Sequence, residues 1–216
     1  FLTKHGFSAF VETRRNGQAF NILMDVGPSY EVFDHNLHLL GKRLEDVDAF
    51  FISHWHTDHA GALPDVLRLT SDVPIYATSL EGFFTRRMRR QLKGSMKLIE
   101  ISGPRRLGEG VFSTGRLEKS FLFGMIKIGE HGLVLSLREK GLVLLVGCSH
   151  PGIDAMISGA REVSGENRVN LVLGGFHFIF PTRKKGVEAA TTELSKAYVL
   201  RVAPCHCTGK EGIERI

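Results

Sequence analysis

The chain has 216 residues, 43% of them hydrophobic and 24% charged, with a net charge of +5. That size and balance describe a single globular domain with a substantial core, residues 1–216, and exclude a disordered or low-complexity chain. No apolar run reaches the roughly 18 residues a membrane span needs and no signal peptide is visible, so no membrane partner is expected. The modest positive excess suits a small anionic substrate. Nucleic acid is disfavoured, because no continuous basic stripe accompanies the charge. Cys148, Cys205 and Cys207 cannot all pair, which favours a reducing cytoplasm. The chain opens on Phe1 and stops just after a histidine motif, so it reads as the ordered part of a slightly longer protein.

In chain order, Phe7 to Glu12 alternates apolar and polar residues, and Arg15-Asn16-Gly17-Gln18 reads as a hairpin turn into a second strand, Ala19 to Met24. Asp25-Val26-Gly27-Pro28 stops that strand. Asp25 is then placed to orient a metal-binding histidine by accepting its second N–H; the alternative is an ordinary turn aspartate. Tyr30, Phe33, Leu37 and Leu40 fall at helical spacing before Gly41, with His35 and His38 read as surface residues.

Ala49 to Ile52 is a short buried strand that runs into Ser53-His54-Trp55-His56-Thr57-Asp58-His59-Ala60-Gly61. Desolvating that many ionisable groups is costly unless something pairs with them, and a metal cation does so naturally. His54 and His56, two apart, can point the same way from an extended backbone. Imidazole and carboxylate together suit zinc, iron or manganese. A helix is expected from Leu63-Pro64 to Leu69, then a strand from Val73 to Ala77. A further helix should run from an N-capping Ser79 through Leu92. Its Arg86, Arg87, Arg89 and Arg90 are either a solvated basic face or, for one or two of them, a grip on phosphate.

Lys97–Ile101, Val111–Thr114 and Phe121–Ile128 read as strands. Leu133–Leu137 and Leu142–Val146 read as a hairpin whose second strand is central. That strand delivers Gly147-Cys148-Ser149-His150, with Cys148 a packed thiol and a helix following from Ile153. Val169–Leu173 leads to Gly174-Gly175-Phe176-His177, a helix follows over Val187–Ala197, and a strand over Tyr198–Ala203 ends in Pro204-Cys205-His206-Cys207-Thr208-Gly209. Arg183-Lys184-Lys185 offer anion contacts or a plain exposed charge run. A zinc held by Cys205 and Cys207 is considered and set aside: strand neighbours of His206 should face away from it.

His54-x-His56-x-Asp58-His59, with Asp25-Val26-Gly27, the Gly147–His150 and Gly174–His177 motifs and Pro204–Gly209, resembles the metallo-β-lactamase superfamily over nearly the whole chain. The last three motifs most resemble its branch of dihydropterin–ribofuranosylaminobenzene phosphate synthases. The resemblance implies an α/β, four-layer αββα sandwich with metals at one edge. It implies two divalent ions, zinc first and iron or manganese as alternatives. His54, His56 and His150 would hold one, and Asp58, His59 and His206 the other. It further implies a metalloenzyme on a small phosphorylated or diphosphorylated, pterin-type substrate. Asp58 and His177 would be catalytic, and Arg86, Arg90 and Arg183 would be available to phosphate. A phosphodiesterase- or lactonase-type hydrolase of the same fold is the alternative, and a nucleic-acid-processing member the third reading. The sequence departs from the superfamily at Phe176-His177, where most two-metal relatives carry a bridging aspartate. Either His177 takes over as a ligand, or the bridge is only water or hydroxide, or His177 contacts substrate; substrate contact is preferred because imidazole near pKa 6.5 shuttles protons.

Overall fold

The computed structural model describes residues 1–70, 72–80, 88, 90, 98–121, 125–178 and 183–216. Two compact units divide the chain, Phe1–Ile101 and Ser102–Ile216.

The first unit is built on a five-stranded sheet in the order β1-β2-β3-β4-β5. Strands β1 (Ala9–Arg15) and β2 (Gln18–Met24) form the expected hairpin. Asn16 and Gly17 turn it at φ 51° and 80°, the left-handed values that an Asn-Gly pair adopts at little cost. β3 (Ala49–Ile52) is wholly buried and pairs in parallel with β2 and with β4 (Ile75–Ala77), and β5 (Leu98–Glu100) follows in parallel. A strand buried on both faces needs no polar alternation, which is why Ala-Phe-Phe-Ile reads as an unbroken apolar run. Helix α1 (Tyr30–Leu39) buries Phe33 and Leu37 and ends before Gly41 at φ 65°. Two single-turn helices come next, α2 (Thr57–Ala60), which carries Asp58 and His59, and α3 (Leu63–Val66). The helix expected to reach Leu69 therefore stops at Val66. The helix expected over Ser79–Leu92 lies largely outside the described residues; Met88 and Arg90 are helical within it. The core of this unit gathers Leu23, Phe50, Ile52, Leu63 and Ile75 around Phe33 and Leu37.

The second unit carries a six-stranded sheet in the order β13-β12-β11-β10-β7-β6. β6 (Arg105–Gly108) and β7 (Val111–Ser113) open it, and β10 (Leu133–Leu137) and β11 (Gly141–Val146) form the expected hairpin. β12 (Val169–Gly174) and β13 (Arg201–Pro204) continue in parallel with β11. β11 is central, as its apolar sequence implies. The unpredicted β6 is an edge strand with exposed arginines, so no apolar period marks it. The single strand expected over Phe121–Ile128 is corrected to a separate two-stranded sheet, β8 (Leu117–Phe121) against β9 (Ile126–Glu130). Its register runs from Leu117 opposite Glu130 to Phe121 opposite Ile126, with Leu117 packed against the core and the polar Glu118-Lys119-Ser120 drawn into the strand by pairing. Helices α4 (Ile153–Ser164), α5 (Arg183–Lys196) and α6 (Gly209–Arg215) complete the unit. Met156, Ile157 and Ala160 of α4 bury against Leu142, Leu144 and Val172. No helix among the described residues is long and apolar enough to cross a membrane.

Candidate metal centre and active site

Parallel strands end side by side, and residues leaving their carboxyl ends are brought together. In the first unit Met24 ends β2 and Ile52 ends β3, so Asp25 and Ser53 become neighbours; the Asp25 N–H donates to the Phe51 carbonyl at 2.9 Å. Asp25 is fully buried at φ 56°, a left-handed value that aspartate tolerates better than most residues. Its carboxylate accepts from Ser53 N–H at 2.7 Å, from Ser53 Oγ at 2.7 Å and from His59 Nδ1 at 2.7 Å. The last bond fixes the His59 ring and leaves its Nε2 to act as a ligand. Ser53 Oγ also stands 3.0 Å from His54 Nδ1, which does the same for His54.

His54 Nε2 and His56 Nδ1 lie 3.1 Å apart, a spacing that serves a shared proton or a shared ion. Two nitrogens on one tetrahedral zinc, each about 2.0–2.1 Å from it, stand about 3.3–3.4 Å apart. The expected convergence of His54 and His56 is thus present and at ligand spacing. Asp58, on α2, places Oδ2 3.7 Å from His59 Nε2. His54 and His59 are buried, with ring centroids 4.2 Å apart. The donor set of this unit, three imidazoles and a carboxylate, fits a divalent cation. His35 and His38 are exposed, as expected.

In the second unit β11, β12 and β13 run in parallel, so Cys148–His150, Gly175–His177 and Cys205–Cys207 leave adjacent strand ends. His150 is held by Glu130, the last residue of β9, whose carboxylate accepts from His150 Nδ1 at 2.7 Å. The same carboxylate takes the backbone N–H groups of Cys148, Ser149 and His150 at 2.7, 2.8 and 2.9 Å. The sequence reading missed Glu130. A signal was present: Glu130-His131-Gly132 closes a strand as Asp25-Val26-Gly27 does, an acid two residues before a glycine.

The two carboxylates differ in charge balance. Burial dominates at Asp25 and raises its pKa above the ordinary value, against the lowering pull of His59 and Ser53. At Glu130 burial also pushes up, but His150 and the backbone N–H groups together outweigh it and bring the pKa down to about 2.

His177, at φ 44°, lies with its ring centroid 4.3 Å from that of His150. Its Nδ1 is buried and has no hydrogen-bond partner among the described residues. Its backbone N–H points at Cys207 Sγ at 3.3 Å. Cys148 Sγ, a His177 ring nitrogen and Cys207 Sγ lie within 4.8 Å of one another. Gly175 is required here, since a Cβ would come within 2.5 Å of that same Sγ. The strand-alternation argument used against cysteine does not hold: β13 ends at Pro204, and His206–Thr208 is a tight 3-10 turn with His206 at φ 51°. The Cys207 thiol is drawn down to about 5 by hydrogen bonding from Cys148, then by His177 and His206, whereas burial pushes Cys205 up to about 11. Of the arginines offered to phosphate, Arg86 lies outside the described residues, Arg90 is exposed, and Arg183 begins α5.

The structure thus brings His54, His56, Asp58, His59 and Asp25 together in one unit, and Cys148, His150, His177 and Cys207 together in the other. Comparison with known proteins shows the family. The metallo-beta-lactamase superfamily description matches residues 5–194. The 7,8-dihydropterin-6-methyl-4-(beta-D-ribofuranosyl)-aminobenzene-5′-phosphate synthase of Methanocaldococcus jannaschii is 29% identical over 97% of this chain and 82% of its own length. Ribonuclease J of Mycolicibacterium smegmatis is 27% identical over 39% of this chain and 15% of its own. The solved structure of Tm1679, described as a metal-dependent hydrolase of the β-lactamase superfamily, matches with a TM-score of 0.72 at 25% identity, covering 100% of this chain and 86% of that one. The α/β fold class and the family resemblance were therefore rightly read, and the chain is an enzyme that belongs to the metallo-β-lactamase superfamily.

Proposed function

We propose that this enzyme is metal-dependent and acts on a small phosphorylated or diphosphorylated substrate of pterin type, by condensation with an aromatic ring. The observation that carries the metal reading is the pair of carboxylate-anchored histidines, His59 on Asp25 and His150 on Glu130. The substrate class rests on the synthase relative, of which this chain spans 82%; the ribonuclease match spans 15% of its relative and supports only the third reading. A net charge of +5 suits an anionic substrate.

In this reading His54, His56 and His150 hold one divalent ion and Asp58, His59 and His206 the other, with zinc the first candidate. Bound ions supply Lewis acidity and lower the pKa of water. The chain supplies orientation and proton handling. Asp25 and Glu130 fix the tautomers of His59 and His150, so that Nε2 of each carries the lone pair. Asp58 orients the attacking group. His177 takes or gives a proton at the substrate, and Arg86, Arg90 and Arg183 offset the charge of a departing diphosphate. The reduced thiols suit a cytoplasmic setting.

The resemblance to Tm1679 favours a second reading, a phosphodiester or lactone hydrolase. The experiment incubates metal-loaded and chelator-stripped protein with a pterin diphosphate plus a ribofuranosylaminobenzene phosphate, and separately with phosphodiesters and lactones. Metal-dependent diphosphate release with a new carbon–carbon bond is expected. Hydrolysis alone would select the second reading, and equal turnover after stripping would overturn the metal reading.

A further inference from the structure

Residues 1–8 form a strap that is tied down at both ends. At one end Asn36 of α1 grips Leu2 with two hydrogen bonds: the Leu2 N–H donates to Asn36 Oδ1 at 2.8 Å, and Asn36 Nδ2 donates to the Leu2 carbonyl at 2.9 Å. At the other end the Phe7 N–H donates to the Asp58 carbonyl at 3.0 Å, and the Phe7 carbonyl accepts from Gly27 at 3.0 Å. Ser8 Oγ adds a bond to the Asp25 carbonyl at 2.9 Å. The Phe7 ring packs 6.1 Å from that of His59, centroid to centroid. Gly6 lies so close that a Cβ there would come within 2.8 Å of the Asp58 carbonyl oxygen, so the strap needs glycine at this point. The residue held between these ties is His5, with Nε2 3.5 Å from Asp58 Oδ2.

We propose that His5 is a positioning residue of the metal site, its Nε2–H directed at the Asp58 carboxylate so that the carboxylate is held in the orientation in which it coordinates. The warrant is geometric. An exposed side chain on an irregular segment would ordinarily lose its position to conformational entropy. Here the backbone on both sides of His5 is pinned, and the imidazole is delivered to one carboxylate oxygen. Groups that hydrogen-bond a metal ligand raise metal affinity by about 10- to 100-fold. The inference rests on Asp58 being a ligand, as in the function proposed above.

The test is a calorimetric zinc titration of the chelator-stripped full chain, with the melting temperature of the stripped protein recorded alongside. The variants are His5→Ala, His5→Gln and Asn36→Ala. His5→Ala should weaken one of two binding events about tenfold or more, with both ions still bound at saturation and the stripped melting temperature unchanged. His5→Gln, whose side-chain amide donates from a comparable position, should recover most of the loss. Asn36→Ala, which releases the strap, should weaken the same event by a smaller factor. Unchanged zinc affinity in His5→Ala would overturn the proposal while leaving the metal reading intact. So would the loss of one whole ion at saturation, which would make His5 a ligand. A wild-type chain that takes up no zinc would overturn both.

Discussion

Asp25 and Glu130 do the same job by different means. Each is a fully buried carboxylate that closes a strand and holds the Nδ1 of one histidine at 2.7 Å. Asp25 takes one backbone N–H and one hydroxyl besides; Glu130 takes three backbone N–H groups. The pKa of Asp25 is raised and that of Glu130 is lowered to about 2. Both acids are fully buried; at Glu130 the His150 ring first and the backbone N–H groups after it outweigh burial, whereas at Asp25 burial outweighs His59 and Ser53. Glu130 therefore shapes the loop that presents His150 as well as anchoring the ring, whereas Asp25 chiefly anchors rings.

The comparison is most sharply broken by deletion. Glu130→Ala leaves three buried N–H groups without their acceptor, each worth about 1–3 kcal/mol. A loss on the order of 4 kcal/mol or more is expected in urea unfolding of metal-stripped protein, and a loss under about 1 kcal/mol would show that the loop holds itself. Acid titration comes next. The folded pKa of Glu130 lies below its ordinary value of 4.5, so its contribution is fully present above that value and disappears as pH falls from 4.5 toward 2. The difference corresponds to about 3 kcal/mol, and Glu130→Gln should flatten the stability profile across that window. Asp25, with a raised pKa, has the opposite sign: its contribution is present below 3.8 and is lost as pH rises through its folded value. Asp25→Asn should accordingly cost metal-free protein only about 1–2 kcal/mol, since asparagine tolerates the left-handed backbone and keeps one acceptor. The same variant should weaken zinc binding about 10- to 100-fold.

How much of this could be read beforehand follows from where the information sits. β3 and the histidines after it are local: a fully apolar four-residue strand and a ligand-rich turn announce themselves without tertiary context. Gly41, Asn16-Gly17 and Gly141 mark real chain reversals for the same reason. β6 and β8 were not visible, because their pairing comes from distant strands and their side chains carry no apolar period. Glu130 is 20 residues from the histidine it holds, and Asn36 is 34 residues from Leu2. Local pattern names neither partner, although Glu130-His131-Gly132 repeats the acid-to-glycine spacing of Asp25-Val26-Gly27. Strand alternation does not extend to Cys207, because β13 ends at Pro204 and the backbone turns at His206, a left-handed residue.

The smallest expected effect concerns the thiols of the second unit. With metal removed, iodoacetamide at pH 7 should label Cys207 well before Cys205, since their pKa values fall near 5 and 11. Equal labelling would mean that Cys148 and His177 do not stabilise the Cys207 thiolate.

The most direct test of the central claim is metal content per chain, by elemental analysis of protein purified without chelator. Wild type, His59→Ala, His150→Ala and His177→Ala would be run side by side. The account predicts about two ions in wild type, fewer in both the His59 and the His150 variant, and wild-type content in His177→Ala. Unchanged metal in the His59 and His150 variants would contradict it, because the two carboxylate-held histidines would then be structural and the ligands would lie elsewhere.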